Sequence, residues 1–243
     1  MKAVILAAGV ASRLRPLTEN TPKCLLKVNG KTLLERTLDN FIENGITDFL
    51  IVTGYLQNMI IDFVTANYPK INVKFIENKD YSTTNNIYSL YLAESFAGGE
   101  DFILSDSDIL FSKDIISALL TNNNPDVLAM NRHELGEEEI KIISDNECNV
   151  LEISKVCSIE KAVGESVGLE KFSKKYSKAL FRELHQMIDN EGLSNVFYEK
   201  AFERLIPQGY IFKYLDTTDF FSMEIDTVED YEKVKDLKII TAI

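Results

Sequence analysis

The 243-residue sequence predicts a single α/β domain, in which a mixed, mainly parallel sheet carries helices on both faces. Two observations predict this fold. Short apolar runs alternate with segments whose apolar residues recur at helical spacing, which is typical of βαβ units. Hydrophobic residues make up 45% of the chain, enough for one core of this size. Because βαβ units join parallel strands through right-handed crossovers, the expected sheet is Rossmann-like.

Strands and helices alternate through the first half of the chain. Short apolar runs predict four strands, at residues 3–6, 49–52, 73–76 and 102–104. Apolar residues at helical spacing predict helices between them, at residues 33–42, 59–64 and 87–96. Gly9 ends the first strand and Gly45 ends the first helix, as expected from the preference of glycine for turns and helix ends.

The second half of the chain has a different pattern. The apolar segments 140–143 and 150–153 flank a polar turn and predict an antiparallel hairpin. Ser173 is the expected N-cap of a helix that Gly192 ends. Further elements are expected at 198–205 (helix), 210–215 (strand) and 221–225 (strand). No segment has the composition of a linker, so the second half is expected to extend the same domain.

Charge and cysteine content narrow the class of protein. A net charge of −12 disfavours nucleic acid and anionic membrane surfaces, so neither is an expected partner. The three cysteines form no disulfide framework or metal-binding pattern. No apolar run approaches the roughly 20 residues of a membrane span. We therefore expect a cytoplasmic protein, and its oligomeric state stays open.

The loop after the first strand has the composition of a phosphate-binding loop. Its small residues let backbone N–H groups approach an anion closely, and Arg13, Arg15 and Lys23 add positive charge. It contains neither GK[ST] nor GxGxxG, the motifs that would indicate a P-loop kinase or a dinucleotide dehydrogenase, so both classes are disfavoured. An ordinary glycine-bearing turn with surface arginines is the alternative interpretation.

Two carboxylates follow the strand at 102–104. Asp106 and Asp108 are two positions apart, so an extended chain places their side chains on one face. Neighbouring carboxylates need a nearby cation, and their hard oxygen atoms suit Mg²⁺ that bridges triphosphate oxygens. Capping of the following helix is the alternative role.

These motifs resemble the signature of a known enzyme family, the nucleotidyltransferases that activate sugar phosphates and related phosphorylated alcohols with a nucleoside triphosphate. The matching motifs are LAAG at 6–9, SRL at 12–14, PLT at 16–18 and PK at 22–23. The family usually has a glycine where this chain has Ala11. NNIYSL at 85–90 and EID at 224–226 are similar to segments of the phosphocholine cytidylyltransferase branch.

The resemblance covers residues 1–243 and implies one nucleotidyltransferase domain. Residues 1–130 would form the nucleotide-binding half, and residues 131–243 would bind the acceptor and supply a metal ligand. The implied catalytic residues are Lys23, Arg13, Asp108 and Asp226. The implied cofactor is Mg²⁺, with Asp108 and Asp226 as ligands and Asp106 nearby; Asp226 could also cap the following helix. The implied nucleotide contacts are Leu6, Ala7, Ala8, Gly9, Ser12, Arg13, Lys23, Asn85, Asn86 and Ser89.

A cationic acceptor head group can be held by carboxylates or by aromatic faces. We expect Glu165 and Glu224 to supply the carboxylates, and Tyr88 and Tyr198 to supply aromatic walls. Because the chain has no tryptophan, a primary amine paired with Glu165 stays open beside a choline group. Core positions are the alternative for both tyrosines.

The expected reaction transfers a cytidylyl group from CTP to phosphocholine or an analogue such as 2-aminoethylphosphonate, with release of pyrophosphate. The alternatives are a sugar-1-phosphate nucleotidyltransferase that uses UTP or dTTP, and a non-catalytic nucleotide-sensing subunit. A phosphate monoester has a second pKa of about 6, so it is largely a dianion at neutral pH and needs no general base. His133 and His185 lie in polar stretches and are expected to lie outside the site.

Overall fold

A computed structural model describes residues 1–235. Its strands are β1 (Lys2–Ala7), β2 (Lys27–Val28), β3 (Lys31–Thr32), β4 (Asp48–Thr53), β5 (Asn72–Glu77), β6 (Phe102–Asp106), β7 (Ile109–Phe111), β8 (Val127–Asn131), β9 (Lys141–Ser144), β10 (Val150–Ser154), β11 (Gly164–Phe172), β12 (Lys213–Asp216) and β13 (Ser222–Glu224). Its α-helices are α1 (Leu33–Glu43), α2 (Gln57–Asn67), α3 (Asn86–Leu92), α4 (Glu94–Ala97), α5 (Lys113–Thr121), α6 (Lys174–His185), α7 (Glu199–Leu205) and α8 (Val228–Val234).

The central sheet is mixed, as predicted. β1 lies between β4 and β6 and is parallel to both, and β5 extends the parallel part beyond β4. On the other side of β6, β11 runs antiparallel and also pairs with β8 and β9. The predicted hairpin is β9 and β10. The parallel half therefore comes from the N-terminal part of the chain, and the antiparallel extension from the second half.

Helices cover both faces of the sheet because the strand residues alternate. Val4 and Leu6 pack into one buried cluster with α3, α6 and α7. Ala3 and Ile5 point the other way, into a second cluster with α1, α2 and α5. A strand with apolar residues on both faces is typical of a parallel sheet buried on both sides.

Two predicted elements differ in the structure. The helix expected over 87–96 is divided into α3 and α4 at Ala93. The strand expected over 221–225 forms, but β13 pairs with β7 in a separate two-stranded sheet and does not join the main sheet. Among the described residues, no helix has the length and apolar character needed to cross a lipid bilayer.

Candidate active site

A cleft of about 1260 Å³ opens at the carboxyl ends of the parallel strands. Its walls come from the loop after β1, the turn between β6 and β7, the start of α3, the strand β11 and the segment from β13 to α8. Loops that follow parallel strands meet at this edge of an α/β sheet, which is where such folds bind ligands. The cleft is therefore the candidate active site.

The loop after β1 is held in a compact form by side-chain hydroxyls that donate to its backbone carbonyl oxygens. Ala11 has left-handed backbone dihedrals, with φ 51° and ψ 51°. The Thr18 hydroxyl donates to the Ala11 carbonyl oxygen at 2.9 Å, and the Tyr55 hydroxyl donates to the Thr18 carbonyl oxygen at 3.1 Å. The loop thus makes a tight left-handed turn at a residue that is not glycine. Predicted contacts from this loop that line the cleft are Leu6, Ala7, Ala8, Gly9, Ser12 and Arg13.

Lys23 joins two distant carboxylates across the floor of the cleft. Its Nζ donates to Asp108 Oδ2 at 2.9 Å and to Asp226 Oδ1 at 2.6 Å, and its side chain is 11% exposed. Arg13 donates to the other oxygen of Asp226. Burial alone would lower the pKa of Lys23, but the two negative charges and their hydrogen bonds raise it above its usual value. Lys23 is therefore a fixed positive charge in the cleft.

The small sheet of β7 and β13 brings the two carboxylates together. The Ile225 backbone N–H donates to the Asp108 carbonyl oxygen at 3.1 Å, so Asp226 lies beside Asp108. The capping alternative for Asp226 is wrong, because Thr227 caps α8 with its own side chain. Ser112 likewise caps α5, which leaves Asp108 free to face the cleft.

Three carboxylates form a cluster that fits a divalent cation. One oxygen each from Asp108, Glu224 and Asp226 lie within 4.8 Å of one another. Asp108 Oδ1 is buried and has no hydrogen-bond partner among residues 1–235. Carboxylate oxygens are the ligands that Mg²⁺ prefers, and the unpaired Asp108 Oδ1 is available as one of them. These three residues would hold the ion. Desolvation and the other two charges raise the pKa of Glu224 to about 8.

Asp106 has a different environment from the cluster. Its Oδ2 accepts a hydrogen bond from the Tyr198 hydroxyl at 2.9 Å. Burial, followed by the charges of Asp108 and Glu199, raises the pKa of Asp106 well above its usual value. A side chain on Gly168 would meet the same oxygen at 2.9 Å, so the strand β11 packs directly against this carboxyl. Asp106 therefore lines the cleft but is not a member of the three-carboxylate cluster, and its predicted nearness to the cation stays a prediction.

The start of α3 forms the opposite wall of the cleft. Asn85, Asn86 and Ser89 all line it, as does Lys23 on the facing side. The Asn85 side chain caps α3, Asn86 Oδ1 accepts from a backbone N–H at 2.9 Å, and Ser89 Oγ accepts from Asn78 at 3.1 Å. Asn78, which lines the cleft immediately after β5, was not among the predicted site residues. Its position at the carboxyl end of a predicted strand could have indicated it.

The expected aromatic walls are wrong for both tyrosines. Tyr198 is fully buried, with its ring against Phe202 and its hydroxyl on Asp106. Tyr88 stacks on Tyr91 and does not line the cleft. Both rings pack against neighbouring aromatic side chains, Tyr88 within α3 and Tyr198 immediately before α7. Two other aromatic side chains line the cleft, Tyr81 and Phe197, and Phe197 is 40% exposed.

The prediction that both histidines lie outside the site is wrong for His133. His133 lines the cleft, and its Nε2 is 2.7 Å from Glu165 Oε2. His185 does lie elsewhere, between Glu94 and Asp189. β8 pairs with β11 at Asn131 and Glu165, so the segment after β8 places His133 beside Glu165. A polar stretch of sequence does not indicate this pairing.

The fold and the geometry of the cleft agree with what comparison with known proteins shows. The chain belongs to the family described as the MobA-like NTP transferase domain, whose family model matches residues 3–204. This confirms the predicted nucleotidyltransferase family and its fold.

Among particular relatives, the chain is 29% identical to the choline-phosphate cytidylyltransferase of Streptococcus pneumoniae, over 98% of each chain. It is 24% identical to the CTP:phosphoglutamine cytidylyltransferase of Campylobacter jejuni, over 96% of this chain and 98% of the relative. Among solved structures, the inositol-1-phosphate CTP transferase from T. maritima has the same fold, with a TM-score of 0.79 at 22% identity over 100% of this chain and 98% of that one.

Proposed function

We propose that this chain transfers a cytidylyl group from CTP to a small phosphorylated acceptor with a cationic head group, such as phosphocholine or 2-aminoethylphosphonate. The observation that carries the proposal is Lys23, held between Asp108 and Asp226 on the floor of the cleft. Relatives that match along almost the whole chain and are named cytidylyltransferases support CTP as the donor.

In the proposed reaction, an oxygen of the acceptor phosphate attacks the α-phosphorus of CTP. The new phosphorus–oxygen bond forms as the bond to the bridging oxygen of the β-phosphate breaks, and pyrophosphate leaves. Lys23 and Arg13 offset negative charge that increases on these oxygens, and the preformed loop orients the triphosphate. Mg²⁺ bound by Asp108, Asp226 and Glu224 would supply further charge neutralisation. The acceptor is already an anion, so no general base is needed.

The nucleotide is proposed to occupy the wall built by residues 1–130. Its phosphates would lie on the backbone of residues 6–12, and its base against Asn85, Asn86 and Ser89. The amide groups of asparagine offer a donor and an acceptor, which suit the amino group and carbonyl of cytosine. Residues 131–243 would form the acceptor side, with Asp226 reaching back to the phosphates.

The acceptor head group is proposed to lie near Glu165. This carboxylate lines the cleft on β11, and the partly exposed ring of Phe197 also lines the cleft. Phe197 replaces the two tyrosines as the proposed aromatic wall. A carboxylate and one aromatic face suit a small ammonium group.

A matrix of nucleotides and acceptors tests the proposal. Pyrophosphate release would be measured for CTP, UTP, dTTP and ATP, each with phosphocholine, 2-aminoethylphosphonate and glucose 1-phosphate. We expect the highest kcat/KM for CTP with an amine-bearing acceptor, and loss of release in Lys23→Ala. Fastest turnover of glucose 1-phosphate with UTP or dTTP would instead establish a sugar-1-phosphate nucleotidyltransferase. Nucleotide binding with no release under any combination would establish a sensing subunit.

A further inference from the structure

The ring of His133 has hydrogen-bond acceptors at both nitrogens. Nδ1 lies 2.9 Å from the Glu134 carbonyl oxygen, and Nε2 lies 2.7 Å from Glu165 Oε2. A carbonyl oxygen can only accept a hydrogen bond, so Nδ1 carries a proton. An ionised carboxylate also only accepts, so Nε2 carries a second proton. The geometry thus describes an imidazolium paired with a carboxylate, with a net charge of zero.

The surroundings of this pair favour the charged state of His133. Glu165 is held on β11, between Asn131 on β8 and Lys141 on β9. Burial tends to lower the pKa of His133, but its hydrogen bond to Glu165 and the charge of Glu139 leave it raised. Burial raises the pKa of Glu165, while His133 and Lys141 oppose this rise.

The other charged side chains near this pair, Lys141 and Glu139, already have hydrogen-bond partners. Lys141 is buried, and its Nζ donates to the carbonyl oxygens of Gly136, Glu137 and Glu139. The Glu139 carboxylate accepts from the Gly136 backbone N–H at 2.8 Å. Within the described residues, His133 is therefore the group in contact with Glu165 whose charge changes near neutral pH.

We propose that His133 is a specificity-determining residue for the acceptor head group. In the free protein its imidazolium neutralises Glu165. A cationic head group binds Glu165 in its place, and His133 releases its Nε2 proton to water as the head group enters. One positive charge replaces another at the carboxylate, so the charge of the site is conserved. This inference rests on the proposed function, because it concerns the acceptor of that reaction.

The proposal predicts how acceptor preference depends on pH. Below the pKa of His133 a cationic head group must displace a proton, so its binding weakens by up to about tenfold for each unit that the pH falls. Above that pKa, Glu165 is unpaired and the preference for a cation reaches a plateau. A neutral head group displaces no proton, and its binding does not follow this dependence.

Phosphocholine and its neutral isostere 3,3-dimethylbutyl phosphate provide the matched pair of acceptors. The measurement is the ratio of their kcat/KM values with CTP between about pH 5.5 and 8.5. The ammonium group lowers the second pKa of the phosphate in phosphocholine, so each kcat/KM value is corrected for the dianion fraction of its acceptor before the ratio is taken. We expect the ratio to rise with pH and then level off in the wild-type protein. In His133→Gln the ratio should be high and independent of pH, and in Glu165→Gln it should fall toward one.

Arg132→Gln is the control variant, because Arg132 is the neighbouring cation and pairs with Asp216 outside the cleft. It should keep the pH dependence of the wild-type ratio. Turnover of phosphocholine with a ratio that does not change with pH, and that His133→Gln leaves unaltered, would overturn the inference while the proposed function stands.

A measurement that needs no turnover separates the two proposals. The chain has two histidines, so His185→Gln leaves His133 as the only imidazole that ¹⁵N NMR can report. We expect both ring nitrogens to be protonated at pH 6, a lower pKa in the additional Glu165→Gln variant, and a lower pKa when choline chloride is added. A neutral ring at pH 6, or a pKa that Glu165→Gln does not lower, would refute the imidazolium pair. Absence of pyrophosphate release with every acceptor would refute the proposed function and, with it, the acceptor role of His133.

Discussion

Replacement of Lys23 with alanine tests the arrangement of charge on the floor of the cleft. The change removes two ion pairs, at 2.9 and 2.6 Å, and leaves Asp108 and Asp226 facing each other. Loss of one partner of a buried pair costs about 3–5 kcal/mol. Because these carboxylate side chains are 26% and 28% exposed, we expect a smaller loss, of about 2 kcal/mol.

For a chain of this length, that loss corresponds to a fall in Tm of about 4–8 °C, with the fold retained. Turnover should fall further, by about 10²- to 10³-fold, since Lys23 faces charge that increases in the transition state. Pyrophosphate release and thermal unfolding, measured with and without Mg²⁺, are the assays. Lys23 competes with a cation for the same oxygens, so Mg²⁺ should raise the Tm of the variant more than that of the wild type.

Lys27→Ala is the matched control, because Lys27 is an exposed lysine four residues away that does not line the cleft. Its turnover and Tm should equal those of the wild type. Turnover of Lys23→Ala within threefold of the wild type would refute the reasoning, as would a Tm that Mg²⁺ raises equally in both proteins.

Three further predictions concern the carboxylate cluster, the buried carboxyl of Glu199 and the packing around Gly164. Asp108→Asn and Asp226→Asn should each reduce Mg²⁺-dependent turnover, and the double variant should lose much less than the product of the two losses; simple multiplication of the single effects would argue against a shared cation. Burial raises the pKa of Glu199 to about 7, so the folded state binds the extra proton and this group lowers stability as pH rises from about 4.5 to above 7. Glu199→Gln should therefore raise Tm more at pH 8 than at pH 5, and an equal change at both values would contradict the raised pKa. Gly164→Ala should reduce stability by about 1–3 kcal/mol, the usual cost of overpacking, because its new carbon would clash with the backbone oxygen of Asn131 on the adjacent strand. A Tm within about 2 °C of the wild type would exclude that clash.

Local sequence patterns predicted most of the parallel half of the fold. The helix expected at 33–42 is Leu33–Glu43, and the strand expected at 49–52 is Asp48–Thr53. Such elements are predictable because their apolar residues repeat with the period of the structure that buries them. The pairing of Ser222–Glu224 with Ile109–Phe111 was not predictable in this way. The apolar pattern of a short strand does not indicate which other strand it pairs with.

In the candidate site, too, local motifs predicted some residues correctly, whereas residues positioned by long-range contacts were predicted wrongly. The motifs placed Lys23, Asp108 and Asp226 in one site, and the structure brings their charged atoms into contact. Tyr198 and His133 were misplaced for opposite reasons. Tyr198 packs into the core against Phe202, and His133 reaches the cleft on the irregular segment that follows β8. The direction of a side chain on such a loop depends on contacts that lie far away in sequence.

The position of Asp226 also affects when a newly made chain can act. Lys23 and Asp226 are 203 residues apart, and β13 pairs with β7, which brings Asp226 beside Asp108. During synthesis, the first strand and its loop leave the ribosome long before Asp226, the second carboxylate that pairs with Lys23, has been made. A chain interrupted before residue 222 lacks two of the three clustered carboxylates, Glu224 and Asp226, although the strands of the main sheet are complete. The candidate cation cluster is therefore complete only in chains whose translation has passed β13.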